Sequence, residues 1–306
     1  VDILIQIMNI SSALPTFVVT LREGFEAALV VGIVFACLKK AQKQECYRWI
    51  YLGVIAGILA SISVGLFLWG SLQTLESSQY LYAPVLKEVL KTLFAVTAIV
   101  MLSWMLIWMS KQAKSMKGEV EGAISTVLTN ENAGKGIFLL IFIAVLREGF
   151  ETVLFIAAQF QTDFLSPTIG AITGLILAGL MGWSLFYWGV KINIRLFFQV
   201  MGIFLLLIVA GLVVSALKNF DGAVTILAQI NLHYQSLCLF NQGSCLLGIP
   251  IWNTSNFLPD NQFPGILLKT LLGYRDHLYL VQLIFYILFL GIVGNLYFSS
   301  LNSKSN

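Results

Sequence analysis

Charge is scarce in this sequence. Only 11% of its 306 residues are Asp, Glu, Lys or Arg, against 58% hydrophobic, and the mean hydropathy is +0.87. Soluble domains carry about 25% charged residues, so a water-soluble globule is excluded and a polytopic membrane protein is expected. The net charge of +3 comes from basic residues clustered in loops, a pattern that excludes a nucleic-acid-binding surface. Histidine is nearly absent. His233 and His277 both fall in one long late loop, which argues against haem held inside the membrane. Cysteine is limited to Cys37, Cys46, Cys238 and Cys245. The opening residues, VDILIQIMNISSALPTF, show neither a basic n-region nor a small-residue cleavage site, so no cleavable signal is expected.

What is abundant is long apolar runs. A bilayer core of about 30 Å needs roughly 20 apolar residues per helix. Spans are predicted at residues 12–38, 50–72, 85–110, 136–160, 166–190, 195–217 and 278–299. Lys39, Lys40, Lys43 and Arg48 crowd the first loop, Lys111, Lys114, Lys117 and Lys135 the third, and Lys191 and Arg195 the fifth. The positive-inside rule then puts the N-terminus outside and the C-terminus in the cytoplasm. Trp49, Trp69, Trp108 and Trp188 fall near predicted helix ends, where interfacial aromatics belong.

The chain also repeats itself. GVIAG at 53–57 precedes SVGLFLWG at 63–70, and GAITG at 170–174 precedes GWSLFYWG at 182–189. Two three-helix units must have opposite orientations, because three is odd, and such inverted repeats place a transport site at the midplane between them. The expected fold is therefore an all-α polytopic membrane protein of seven transmembrane helices, two inverted three-helix repeats plus one. Its parts are a first repeat (1–110), a cytoplasmic linker (111–135), a second repeat (136–217), an extracytoplasmic loop (218–277), and a seventh helix with a cytoplasmic tail (278–306).

Against this apolar background stand LREGFE at 21–26 and LREGFE at 146–151. Helical spacing puts Arg22, Glu23 and Glu26 on one face, and likewise Arg147, Glu148 and Glu151. A charge at the bilayer centre costs roughly 2.5–3.5 kcal/mol on insertion scales, so these six must face protein or water and be paired or occupied. A purely structural pair needs one carboxylate per arginine; here each arginine has two. Four carboxylates form a hard oxygen site suited to iron, manganese, calcium or magnesium. No histidine or cysteine lies within either motif, which argues against copper or zinc. Gly24 and Gly149 leave room beside the acids for a backbone or a hydrated ion.

These two Arg-Glu-x-x-Glu motifs closely resemble those of the high-affinity, oxidase-dependent iron permeases, whose usual form is Arg-Glu-Gly-Leu-Glu. Phe25 and Phe150 stand at the fourth place here. The stretch at 251–279, IWNTSNFLPDNQFPGILLKTLLGYRDHLY, is also similar to that family's segment before the last helix. The resemblance implies that Glu23, Glu26, Glu148 and Glu151 bind iron during translocation, supported by Arg22 and Arg147. It implies import of iron, ferric after oxidation, with iron as substrate and no permanent cofactor. It further implies a redox partner, a ferroxidase or a periplasmic iron-handling protein, and residence in a plasma membrane such as the bacterial inner membrane. A large extracytoplasmic domain and the acidic outer Glu-x-x-Glu cluster of fungal members are missing. Ferrous iron, lead or manganese as cargo is the nearest alternative, and a membrane proton-relay enzyme a more distant one.

Other residues carry weaker signals. Cys238 and Cys245, in the loop assigned to an oxidising compartment, are candidates for a disulfide. Cys37 and Cys46 face the cytoplasm and are expected as free thiols. Glu88 and Lys91 read as a salt-bridged helix end, and Asp276 with His277 as an interfacial hydrogen-bonded pair. Asp163 and Asp221 lie near the outer surface, where they could attract cations weakly. Translocation is expected to proceed by one repeat rocking against the other.

Overall fold

The computed structural model describes residues 2–77, 80–112, 118, 122, 133–158, 165–187, 193–230, 232–240, 244–260, 262 and 264–302. Most of the expected linker, together with Asp163, Trp188, Lys114, Lys117 and Lys191, lies outside these residues.

The apolar runs form long helices: α1 (Asp2–Lys40), α2 (Tyr47–Ser77), α3 (Ala83–Gln112), α4 (Ala133–Ala158), α5 (Leu165–Tyr187), α6 (Ile194–Ile230) and α8 (Leu280–Asn302), with a short α7 (Gly265–Leu272) before the last. Among the described residues, five stretches are long and apolar enough to cross a membrane: Gln44–Ser71, Ala83–Trp108, Ser166–Tyr187, Leu196–Ile230 and Leu280–Leu301. Helices α1 and α4 are as long but carry the motif charges. This is a helical, multi-pass integral membrane protein. Its lipid-facing surface is apolar, as on α2, where Leu52, Ile55, Leu59, Ile62 and Leu66 are all exposed.

The helices do not pack in chain order. α1 lies against α5, α2 against α4, and α3 against α6, with α8 on α6 and α3. Small residues make the first two seams. Gly53 and Gly57 on α2 meet Ile141 and Val145 on α4, followed by Ser61 against Gly149 and Gly65 against Val153. On the other side, Gly170 and Gly174 of α5 meet Ala13 and Phe17 of α1, followed by Ala178 against Gly24 and Gly182 against Ala28. Residue numbers rise together on both members, so each pair runs parallel. With no hydrophobic drive between helices inside lipid, such close backbone approach supplies the van der Waals contact that holds them.

Two buried clusters fill the interior. The larger joins Val18, Leu21, Phe25 and Leu29 of α1 to Ala95, Ala98 and Leu102 of α3, to Leu205, Ile208 and Val209 of α6, and to Tyr297 of α8. The smaller gathers Val34, Leu38, Ile50, Ile137, Ile141 and Val145 near the other ends of α1, α2 and α4.

Helix α6 continues to Ile230, past the expected span end at 217. The extra turns are held by the loop they enter: Asp221 Oδ1 accepts the Leu246 N–H at 2.7 Å and the Ser244 hydroxyl at 3.1 Å. Further on, strand β1 (Pro250–Asn253) pairs antiparallel with β2 (His277–Tyr279). Between the strands α7 ends on Gly273 at φ 69°, a left-handed cap. Gly273 packs directly on Gly211 in the middle of α6, a contact that a side chain on either residue would block. Arg275 locks the segment in place, with Nη2 2.8 Å from Ser215 Oγ and Nη1 3.5 Å from Asp260 Oδ2. Lys269 also reaches Asp260, at 3.2 Å. Burial, and then the neighbouring Arg275 cation, push the Lys269 ammonium below its ordinary pKa.

Candidate metal centre

The two motif helices come together at their charged turns. Carboxylate oxygens of Glu23, Glu26 and Glu148 lie within 4.8 Å of one another, a spacing a single oxygen-ligated cation can bridge. Glu23 and Glu26 are buried and Glu148 is half-buried. On each of these three side chains one carboxylate oxygen is buried without a hydrogen-bond partner, and the same holds for Oε2 of Glu151. Buried polar atoms are ordinarily satisfied, so four carboxylates with such an atom on two packed helices make this the candidate ligand site. Glu151 is the member of the sequence-derived set outside the three-carboxylate group.

The arginines behave differently. Arg22 Nη1 donates to Glu23 Oε1 at 2.6 Å, and its Nη2 lies 3.2 Å from Glu26 Oε1 in an ion pair without hydrogen-bond alignment. Arg22 is almost wholly buried, and Nη1 also lies 3.5 Å from Met105 Sδ on α3. Among the described residues Arg147 pairs with Glu151 alone, through Nε at 3.4 Å, and its guanidinium sits over the Trp108 ring, 5.4 Å from the centroid.

The motif's other residues fix the helices. Phe25 is fully buried, its ring 4.6 Å from that of Phe197 and 6.1 Å from that of Phe198 on α6. A Cβ on Gly24 would stand 2.9 Å from the Ala178 Cβ, and one on Gly149 would strike Ser61. The Ser61 hydroxyl is turned back to the Gly57 carbonyl at 2.9 Å. The glycines therefore serve helix approach on the flank away from the acids. Their neighbours are α5 and α2.

The chain matches the Iron permease FTR1 family over residues 13–298. It belongs to that family. An uncharacterised protein of Synechocystis sp. is 50% identical over 299 residues, covering 98% of this chain and 97% of its own. The ferrous iron permease EfeU of Yersinia pseudotuberculosis is 34% identical over 215 residues, 69% of this chain and 73% of its own. EfeU of Escherichia coli O6:K15:H31 is 32% identical over 209 residues, 68% and 73% of the two chains. No solved structure matches the chain. In this family member the cluster of acids thus sits within a permease scaffold.

Of the remaining sequence candidates, Lys91 pairs with Glu88 at 2.9 Å, and the Asp276 carboxylate accepts the backbone N–H of His277 at 2.8 Å. Cys238 and Cys245 are bonded to each other, with Cα atoms 4.4 Å apart, and Cys37 and Cys46 form no disulfide among the described residues. Asp221 is engaged by the loop rather than offered to cations. Sequence reasoning missed Met105, Ser61 and the placement of Trp108 against an arginine. Their signal is faint: one thioether and one indole three residues apart on α3, and a serine four residues after a Gly-x-x-x-Gly.

Proposed function

We propose that this protein imports iron across the membrane through a carboxylate site shared by the two Arg-Glu-x-x-Glu helices. The observation that carries the reading is the convergence of Glu23, Glu26 and Glu148 within 4.8 Å, in a chain of an iron permease family. Glu151 completes the set as the acid that Arg147 releases when metal enters, and Arg22 limits repulsion among the acids while the site is empty. Seven spans are proposed, α1 to α6 and α8, with the N-terminus outside, the C-terminus in the cytoplasm, and the bacterial inner membrane as host. The two parallel glycine seams support an inverted repeat, because α1 and α4 each use the same motif position, Gly24 and Gly149, against a second helix. The Cys238–Cys245 disulfide fits an outer, oxidising location for its loop.

The resemblance to oxidase-dependent permeases favours ferric iron handed over by a ferroxidase or periplasmic protein. A second reading, ferrous iron, has its own support. The three acids with Arg22 carry a net charge of −2 when ionised, which matches a divalent ion, and the EfeU relatives are named ferrous iron permeases. Uptake of radioactive iron into proteoliposomes, under ascorbate or under oxidant, tests both. Iron should accumulate, with manganese and lead competing poorly, and a Glu26→Ala/Glu151→Ala variant should insert normally and transport nothing. Full transport by that variant at equal incorporation would sink the shared-site reading. Turnover of a substrate without iron flux would favour an enzyme.

A further inference from the structure

Both motif arginines touch α3, at residues one turn apart: Arg22 meets Met105 and Arg147 meets Trp108. In other respects they differ. The Arg22 side chain is 3% exposed and folds back onto the acid next to it in the chain. The Arg147 side chain is 48% exposed and, among the described residues, forms no ion pair with Glu148 beside it. Glu148 has no ion pair among the described residues, and its Oε2 is buried without a partner. The motifs are identical in sequence, so the difference arises from what surrounds them. The group its guanidinium lies over is the Trp108 indole ring.

We propose that Trp108 is a positioning residue of the metal site, holding the Arg147 guanidinium off Glu148 so that this carboxylate stays open to a cation. A planar, weakly hydrated guanidinium stacks well on an indole face, and Trp is the best of the aromatic partners. Arg147 continues an exposed stripe of Leu139 and Ile143 on α4. A cation at that depth requires a partner or water, and the ring is the partner at hand. Without the ring, Arg147 can adopt the arrangement Arg22 already shows, bonded to the following acid. Glu148 would then be shared between arginine and metal. The inference rests on the carboxylate cluster being the metal site.

The test is equilibrium binding of ferrous iron to the purified full chain in lipid nanodiscs, under reducing conditions, with Trp108→Leu, Trp108→Phe, Arg147→Gln and the Trp108→Leu/Arg147→Gln pair. Trp108→Leu should weaken binding about tenfold and Trp108→Phe about threefold, within the range such contacts supply. In the Arg147→Gln background, Trp108→Leu should cost nothing further. Should the leucine variant fail to fold, the phenylalanine variant in both backgrounds decides the question. Wild-type affinity in the Trp108 variants overturns the proposal. So does an equal loss with Arg147→Gln, which would mean that Trp108 acts by packing alone. A wild-type chain that binds no ferrous iron overturns the metal-site reading itself, and this inference with it.

Discussion

Replacing Glu148 by glutamine keeps the shape of the side chain and removes its charge, and the structure gives the effect opposite signs with and without metal. At an effective dielectric of about 20, two carboxylates no more than 4.8 Å apart repel by about 3.5 kcal/mol or more. Arg22 at 2.6 and 3.2 Å offsets this for Glu23 and Glu26. Glu148 lacks such a partner among the described residues and faces both acids. The empty protein should therefore be no less stable as Glu148→Gln, with a gain of up to a few kcal/mol where all three acids are ionised. A bound divalent ion loses one of three anionic ligands, so its affinity should drop about a hundredfold or more, an energy of at least about 2.7 kcal/mol. Thermal unfolding in nanodiscs, with and without saturating ferrous iron, reads both effects at once. The melting temperature should hold or rise without iron, and the iron-induced increase should shrink or vanish. A variant that melts lower when empty yet binds iron like the wild type would refute the reasoning, since it would make Glu148 a structural residue.

Gly149→Ala should impair insertion or lower stability by about 1–3 kcal/mol through the clash with Ser61, and Ser61→Gly in the same chain should recover most of it, as measured by monodispersity and melting temperature. Arg275→Ala removes the partner of Ser215 and one of the two cations on Asp260. Because these groups are partly exposed, the loss should be about 1–3 kcal/mol, seen as proteolytic nicking between 250 and 279 with the spanning helices intact.

The long helices could be read from hydropathy because lipid leaves the chain so few options: apolar runs of this length satisfy their backbone as helices. The paired charges were equally legible, since six charges inside otherwise apolar helices need a reason and helical spacing puts each trio on one face. Where α6 ends was not legible. KNFDG at 218–222 breaks the apolar run, but the helix continues because Asp221 gains loop hydrogen bonds that hydropathy does not register. The β1–β2 pairing joins the middle of one loop to its far end, and no local pattern announces it. The unequal fates of Arg22 and Arg147 were hidden for a deeper reason. Two identical hexapeptides carry no information about which arginine meets a thioether and which an indole.

The crosswise packing of α1 with α5 and α2 with α4 constrains how the molecule can be assembled and how it can move. Each motif helix shares its tightest seam with a helix from the other half of the sequence, so a cut in the 113–132 segment would yield two fragments that each lack half of both seams. Neither should persist alone in a bilayer, whereas coexpressed fragments have every contact they need to recombine. Rocking of one half against the other would have to part or shear both seams. Sliding of the α1–α5 pair against the α2–α4 pair would instead leave both seams intact, and it would change the distance between Glu23 and Glu148 directly.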